Sequence, residues 1–133
     1  MAESSLPPAG SLRLLLAEDE PHIRRVLVTL LEGWGFNLHP VADGTAALAA
    51  VRGNDHYDLI LLDIVMPGAT GLEILTEVRS LPGRKNTPVI ILTAKGQDAD
   101  RERAFALGAD DFLTKPFSPK KLLNRVDELL ARR

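Results

Sequence analysis

This sequence predicts an α/β fold: a doubly wound, five-stranded parallel sheet in the order 2-1-3-4-5, wrapped by five helices. Three observations predict it. Short runs rich in Leu, Ile and Val (residues 12–17, 58–62, 89–92 and 112–113) alternate with longer amphipathic stretches, as parallel strands buried between helices do. Polar residues stand just past the ends of these runs: Glu18 with Asp19, then Asp63, Thr93 and Lys115. A further run, residues 36–41, contains Pro40, which cannot donate to a ladder and so sits best at a sheet edge. With the second strand at an edge and right-handed crossovers, the order 2-1-3-4-5 follows.

The elements read in turn. After the first strand comes the acidic turn Glu18-Asp19-Glu20, then Pro21, suited to a first helical turn. Glu20 reads as a first-turn acid answering the helix dipole. Ile23, Val26, Leu27, Leu30 and Leu31 recur at helical spacing until Gly33 and Gly35 end the helix. Trp34, at that end, reads as a packing residue. Asp43 caps a second helix carrying Ala46, Ala47, Leu48 and Val51, stopped by Gly53-Asn54. The third strand runs over 58–62 into Asp63, Met66-Pro67-Gly68 makes a turn, and Gly71 leads into a helix with Leu72, Ile74, Leu75 and Val78.

A loop over 82–87 feeds Pro88 and the strand 89–92, followed by the loop Thr93-Ala94-Lys95-Gly96. A helix over 98–107 ends at Gly108, and a last short strand over 111–114 precedes Lys115-Pro116. Ser118 caps a final helix through Leu130, with Leu122, Leu123, Val126, Leu129 and Leu130 on its apolar side.

At 133 residues this is one domain, read as 11–133, behind a Pro-, Ser- and Gly-containing disordered lead-in over 1–10. Hydrophobic content of 45 % with 26 % charged residues is that of an ordinary globular chain. A net charge of −2 supplies no global field for nucleic acid or membrane. Without cysteine there is no disulfide framework, thiol catalysis or zinc-thiolate site. No apolar run approaches a membrane span and no signal peptide is visible, so a cytoplasmic location is expected. The basic residues Lys120, Lys121, Arg125, Arg132 and Arg133 suit a solvated face late in a helix and come without a groove-reading element. His22, His39 and His56 lack metal-ligand spacing and read as surface or cap residues.

In a parallel sheet every strand opens its carboxyl end on the same edge, so distant residues meet there. Glu18, Asp19 and Asp63 crowd one place with the Thr93 hydroxyl and the Lys115 ammonium. Three adjacent carboxylates repel one another unless protonated or neutralised. Mg²⁺ suits them, because it prefers carboxylate oxygens and water and keeps open positions for a phosphate. Asp63 could then attack phosphorus, a known route to an aspartyl phosphate, with Thr93 and Lys115 each engaging a phosphoryl oxygen.

Four motifs carry a resemblance: Leu-Leu-Leu-Ala-Glu-Asp-Glu at 14–20, Leu-Leu-Asp-Ile-Val-Met-Pro-Gly at 61–68, Ile-Leu-Thr-Ala-Lys at 91–95 and Gly-Ala-Asp-Asp-Phe-Leu-Thr-Lys-Pro-Phe at 108–117. In this order, over about 11–132, the chain resembles the receiver domain of bacterial response regulators, CheY-like proteins of flavodoxin-like fold. The resemblance implies that Asp63 is the phosphoacceptor, charged by a histidine kinase's phosphohistidine in a two-component phosphorelay. It implies that Glu18 and Asp19 form the acidic pair for Mg²⁺, with Asp19 and Asp63 as direct ligands and the Val65 carbonyl completing the set. Glu18, a methylene longer than the commoner Asp, acts through water in that scheme. Lys115 would bind phosphate, and Lys115-Pro116 would be a cis peptide aiming the lysine inward.

The same resemblance makes Thr93 and Phe112 the switch pair. Thr93 turns toward the phosphoryl group, Phe112 rotates inward, and the surface of the fourth helix, last strand and last helix repacks. Val65 and Lys95 hold positions that tune water access, and Val65 offers no hydrogen bond to a water, so a long-lived phosphoryl group is expected. Winged-helix members of the family dimerise through charge pairs that Arg101, Asp110 and Arg125 match, but Lys121 stands where a glutamate is expected, so a monomer or a weak phosphorylation-dependent dimer is expected.

The protein is thus expected to be a switch with only self-phosphorylation and slow autodephosphorylation, acting on an unknown output partner without binding nucleic acid itself. Alternatives are a receiver belonging to a longer transcription factor or hybrid kinase, a small aspartyl-phosphate phosphatase, and an FMN-binding flavodoxin-like protein. Against the phosphatase, Val65 stands where a second Asp would serve as general acid. Against FMN, the acidic turn after the first strand repels phosphate.

Overall fold

The apolar runs become the strands of one parallel sheet. A computed structural model describes residues 12–94 and 98–132. Through them the chain runs β1 (Arg13–Ala17), α1 (Pro21–Gly33), β2 (Asn37–Val41), α2 (Gly44–Arg52), β3 (Leu59–Asp63), α3 (Gly71–Ser80), β4 (Val89–Thr93), α4 (Asp98–Ala106), β5 (Asp111–Thr114) and α5 (Pro119–Ala131). The expected lead-in of residues 1–10, Lys95 and Arg133 lie outside the described residues. The strand order is β2-β1-β3-β4-β5, all parallel, as expected.

Although β1, β3 and β4 are apolar almost throughout, their side chains divide by the period of two that a strand imposes. Leu15, Ala17, Ile60, Leu62 and Ile91 join Val51 of α2, Leu75 and Val78 of α3 and Ala104 of α4 in one core. Leu14, Leu16, Leu59, Leu61, Ile90 and Leu92 join Leu27 and Leu31 of α1 and the apolar stripe of α5 in the other. The sheet is thus covered on both faces, which is why its strands show no polar alternation. Pro40 lies in β2 at the edge, beside β1 on one side only.

The expected caps form. The Glu20 carboxylate accepts from the His22 and Ile23 N–H groups, making Glu20 the N-cap of α1 and not merely a first-turn acid. Asp43 caps α2 and Ser118 caps α5. Gly35 at φ +96° supplies the left-handed residue that turns the chain out of α1. The cap of α3 went unread in the sequence: the Thr70 hydroxyl accepts from Glu73 N–H at 3.1 Å and the Glu73 carboxylate accepts from Thr70 N–H at 2.8 Å, a capping box written in Thr70-Gly71-Leu72-Glu73.

Other expectations need correction. Trp34 is no core residue: it is the C-cap of α1 and 44 % exposed. Within the chain Arg125 and Asp110 each have other partners. Arg125 donates to Asp111 at 2.6 Å and to Glu128 at 3.0 Å, while Asp110 accepts from Arg79 at 3.0 Å and from Val89 N–H at 2.8 Å.

Candidate functional site

Asp63 and Thr93 are the last residues of β3 and β4, one step inside the strands and not just beyond them. The ladders run one residue further than the apolar runs, with Asp63 opposite Leu92 and Thr93 opposite Thr114. Both are therefore held by sheet geometry, and both are buried at 5 % and 1 % exposure. Glu18 follows β1 with its N–H donating to Val41 O at 3.2 Å, so the sheet still anchors its backbone. Lys115 follows β5, its N–H donating to Thr93 O at 2.7 Å, and the Lys115–Pro116 peptide bond is cis.

The four strand ends do converge. Glu18, Asp19 and Asp63 each offer a carboxylate oxygen, and these lie within 4.8 Å of one another. The Lys115 ammonium donates to Glu18 Oε1 at 2.6 Å and to Asp63 Oδ2 at 3.1 Å. These groups, with Thr93 and Val65, line a cleft of about 280 Å³. One ammonium against three carboxylates leaves an excess of negative charge and a set of hard oxygen donors, which fits Mg²⁺. Val65 is exposed, and its N–H reaches Asp63 Oδ1 at 3.4 Å.

Burial pushes the Glu18 carboxyl above its ordinary value, aided by the Asp63 charge and opposed by the hydrogen bonds from Lys115 and the Glu20 N–H. For Lys115, burial pulls the ammonium down, but the Glu18 hydrogen bond and the charges of Asp63 and Glu18 outweigh it, so its pKa ends raised. The lysine is firmly charged.

Two positioning contacts left no motif in the sequence. Arg24 Nη1 donates to the Glu18 carbonyl at 2.9 Å, tying α1 to the acidic turn. Gly71 packs against the backbone of Asp63 so closely that a Cβ there would stand 2.2 Å from Asp63 O. Gly71 was legible only as a helix start; its role in seating Asp63 depends on how α3 folds back.

Phe112 is already inside the core, 3 % exposed, in the cluster that includes Ile91 and Ala104. Any inward swing of this ring would therefore have to start from a conformation other than this one.

A family model described as the response regulator receiver domain matches residues 14–127. The chain is 42 % identical over 121 residues to the transcriptional regulatory protein ResD of Bacillus subtilis, covering 90 % of this chain and 48 % of ResD. It spans about half the length of the curated relatives it matches. Among solved structures, the receiver domain of the Francisella response regulator 1452 matches with a TM-score of 0.83 and 35 % identity, over 92 % of this chain and 98 % of that one. The receiver domain of sensor histidine kinase PA1611 from Pseudomonas aeruginosa, solved with a magnesium ion coordinated in its active site cleft, matches with a TM-score of 0.82 and 31 % identity, over 90 % of this chain and 97 % of that one.

Proposed function

The chain belongs to the response regulator receiver-domain family, and we propose that Asp63 is the phosphoacceptor through which it works as a switch in a two-component system. A carboxylate oxygen of Asp63 attacks the phosphorus of a phosphohistidine. The P–N bond breaks, an aspartyl phosphate forms, and the imidazole leaves as the kinase's or phosphotransfer protein's free side chain. The observation that carries this reading is the single cleft in which Asp63, two further carboxylates, the Thr93 side chain and the Lys115 ammonium meet.

Asp19, Asp63 and the Val65 carbonyl would hold Mg²⁺ there, with Glu18 beside them. Bound, the ion supplies neutralisation of charge on the transferred group. Thr93 and Lys115 each take a phosphoryl oxygen, since one offers a hydroxyl donor and the other a firmly charged ammonium. Thr93 and Phe112 act as the switch pair. With Phe112 inside from the start, phosphorylation secures that arrangement and so biases the α4–β5–α5 face toward one form. The chemistry stops at self-phosphorylation and slow loss of phosphate, because Val65 offers no acid to drive turnover.

The donor is a cytoplasmic kinase or phosphotransfer protein. An apolar groove of about 480 Å³ between α1 and Pro116-Phe117 shares Lys115 and Ala94 with the cleft, which favours docking of the donor there. The output sits elsewhere, in a partner or in a further domain; the half-length match to ResD favours a receiver that serves a longer transcriptional regulator.

The test is intact-protein mass after incubation with acetyl phosphate and Mg²⁺. One phosphoryl group gained by the wild-type chain, and lost in Asp63→Ala and in EDTA, is the expected result. No gain in the presence of bound Mg²⁺ removes the proposal.

A further inference from the structure

No described residue of α2 lines the cleft, yet the first turn of that helix is packed against the loop that carries Val65. The Gly44 N–H donates to Pro67 O at 2.8 Å. Gly68, at φ +90°, lies so near Thr45 that a Cβ there would stand 2.2 Å from Thr45 Oγ1. A Cβ on Gly44 would stand 2.0 Å from Ala69 O, 2.4 Å from its N and 2.6 Å from its carbonyl carbon. These last three are backbone atoms, which no change of rotamer can move aside.

We propose that Gly44 is a positioning residue for the Val65 carbonyl: by admitting the loop over 64–71 against α2, it sets the affinity of the cleft for Mg²⁺. The proposal rests on the Val65 carbonyl being a ligand of that ion and deepens that reading. The loop is closed at its base, where Gly71 N–H donates to Ile64 O at 2.9 Å. Its residues Ile64, Met66 and Ala69 share one core with Ala47 and Val51 of α2. The helix is fixed from the other side. Its Asp43 cap accepts from Ala46 N–H at 2.8 Å, and Val41, just before that cap, is paired with Ala17 in the sheet.

With the helix held, the loop is the part that gives way. A Cβ at 2.0 Å from Ala69 O must gain about 1 Å to reach the 3.0 Å below which such contacts do not occur. Mg²⁺ takes its oxygens at about 2.0–2.1 Å in near-ideal octahedral geometry. A displacement on the scale of 1 Å, passed along a loop closed at its base, therefore spoils a ligand at Val65. A backbone carbonyl cannot swing to follow the ion as a carboxylate on a rotatable side chain can.

The experiment uses the whole, isotope-labelled chain and Mg²⁺ alone. In the wild type, the ion is expected to shift the Val65 carbonyl carbon and to slow hydrogen exchange at the Gly44 N–H by about tenfold, a typical size for coupled equilibria. Exchange at the Gly53 N–H, at the far end of α2, should stay as it was. Coupling is reciprocal, so the Mg²⁺ dissociation constant of Gly44→Ala, read by calorimetric titration, is expected to rise by a similar factor. Gly83→Ala, whose Cβ meets nothing within 4 Å, should keep the wild-type constant. A shifted Val65 carbonyl with Gly44 exchange unchanged, or slowed no more than that of Gly53, overturns the positioning role alone, as does a folded Gly44→Ala chain of wild-type affinity. An unshifted Val65 carbonyl at saturating Mg²⁺ overturns the ligand reading and this proposal with it. The wild-type exchange decides the matter even if Gly44→Ala fails to fold.

Discussion

Val65 stands 60 % exposed beside Asp63, its backbone N–H 3.4 Å from Oδ1. Its isopropyl group gives an attacking water nothing to bond, so Val65→Asn is expected to change the dephosphorylation rate several-fold, read as loss of phosphoprotein mass with time; an unchanged rate contradicts this role. Glu20 carries a pH dependence. The hydrogen bond from the His22 N–H, with a smaller one from Ile23 N–H, lowers its pKa below the ordinary 4.5 against an opposing desolvation. A depressed folded-state pKa stabilises above the unfolded value, and the gain is lost as pH falls through the folded one. The difference in urea unfolding between wild type and Glu20→Gln is therefore expected to be full above pH 4.5 and to vanish on further acidification; a gap that stays constant contradicts it. At this scale the meeting of Asp63, Asp19, Thr93 and Lys115 was legible, because a parallel sheet opens its strand ends on one edge. The grip of Glu18 on Lys115 was not, since it joins residues 97 apart and depends on the reach of both side chains.

The elements were legible from the same physics, with boundaries moved by a residue. β3 and β4 take in Asp63 and Thr93 because a parallel ladder continues as long as its neighbour offers partners, whatever the polarity of the side chain. Trp34 was misread because helical spacing locates an apolar stripe but does not say where the stripe ends. The β3–α3 connection depends on close approach. Gly71 N–H donates to Ile64 O at 2.9 Å, and a Cβ on Gly71 would collide with Asp63 O. Gly71→Ala is expected to cost about 1–3 kcal/mol, as overpacking does, and to slow phosphorylation by shifting Asp63. Urea unfolding and the acetyl phosphate assay read the two effects, and wild-type values in both contradict the seating role.

At the scale of the whole molecule, a sheet covered on both faces brings four strand ends to one edge and leaves the α4–β5–α5 face outward. Some charges on that face are committed within the chain: Arg125 to Asp111 and Glu128, and Asp110 to Arg79. Arg101 lies 5.3 Å over the Phe105 ring, and Lys121 adds a second exposed cation. With Asp110 and Arg125 already paired within the chain and Arg101 and Lys121 of like sign, sedimentation of the unphosphorylated chain is expected to give a monomer, and a stable dimer contradicts this reading. Topology was legible because Pro40 marked an edge; this use of charge was not, because it depends on which neighbours the fold supplies. The central claim remains that an acyl phosphate forms on one aspartate, and borohydride trapping tests it most directly. Reduction of the phosphorylated chain, followed by peptide mass analysis, is expected to convert Asp63 and no other aspartate to homoserine; homoserine elsewhere, or at no position in a chain that carries phosphate, contradicts the account.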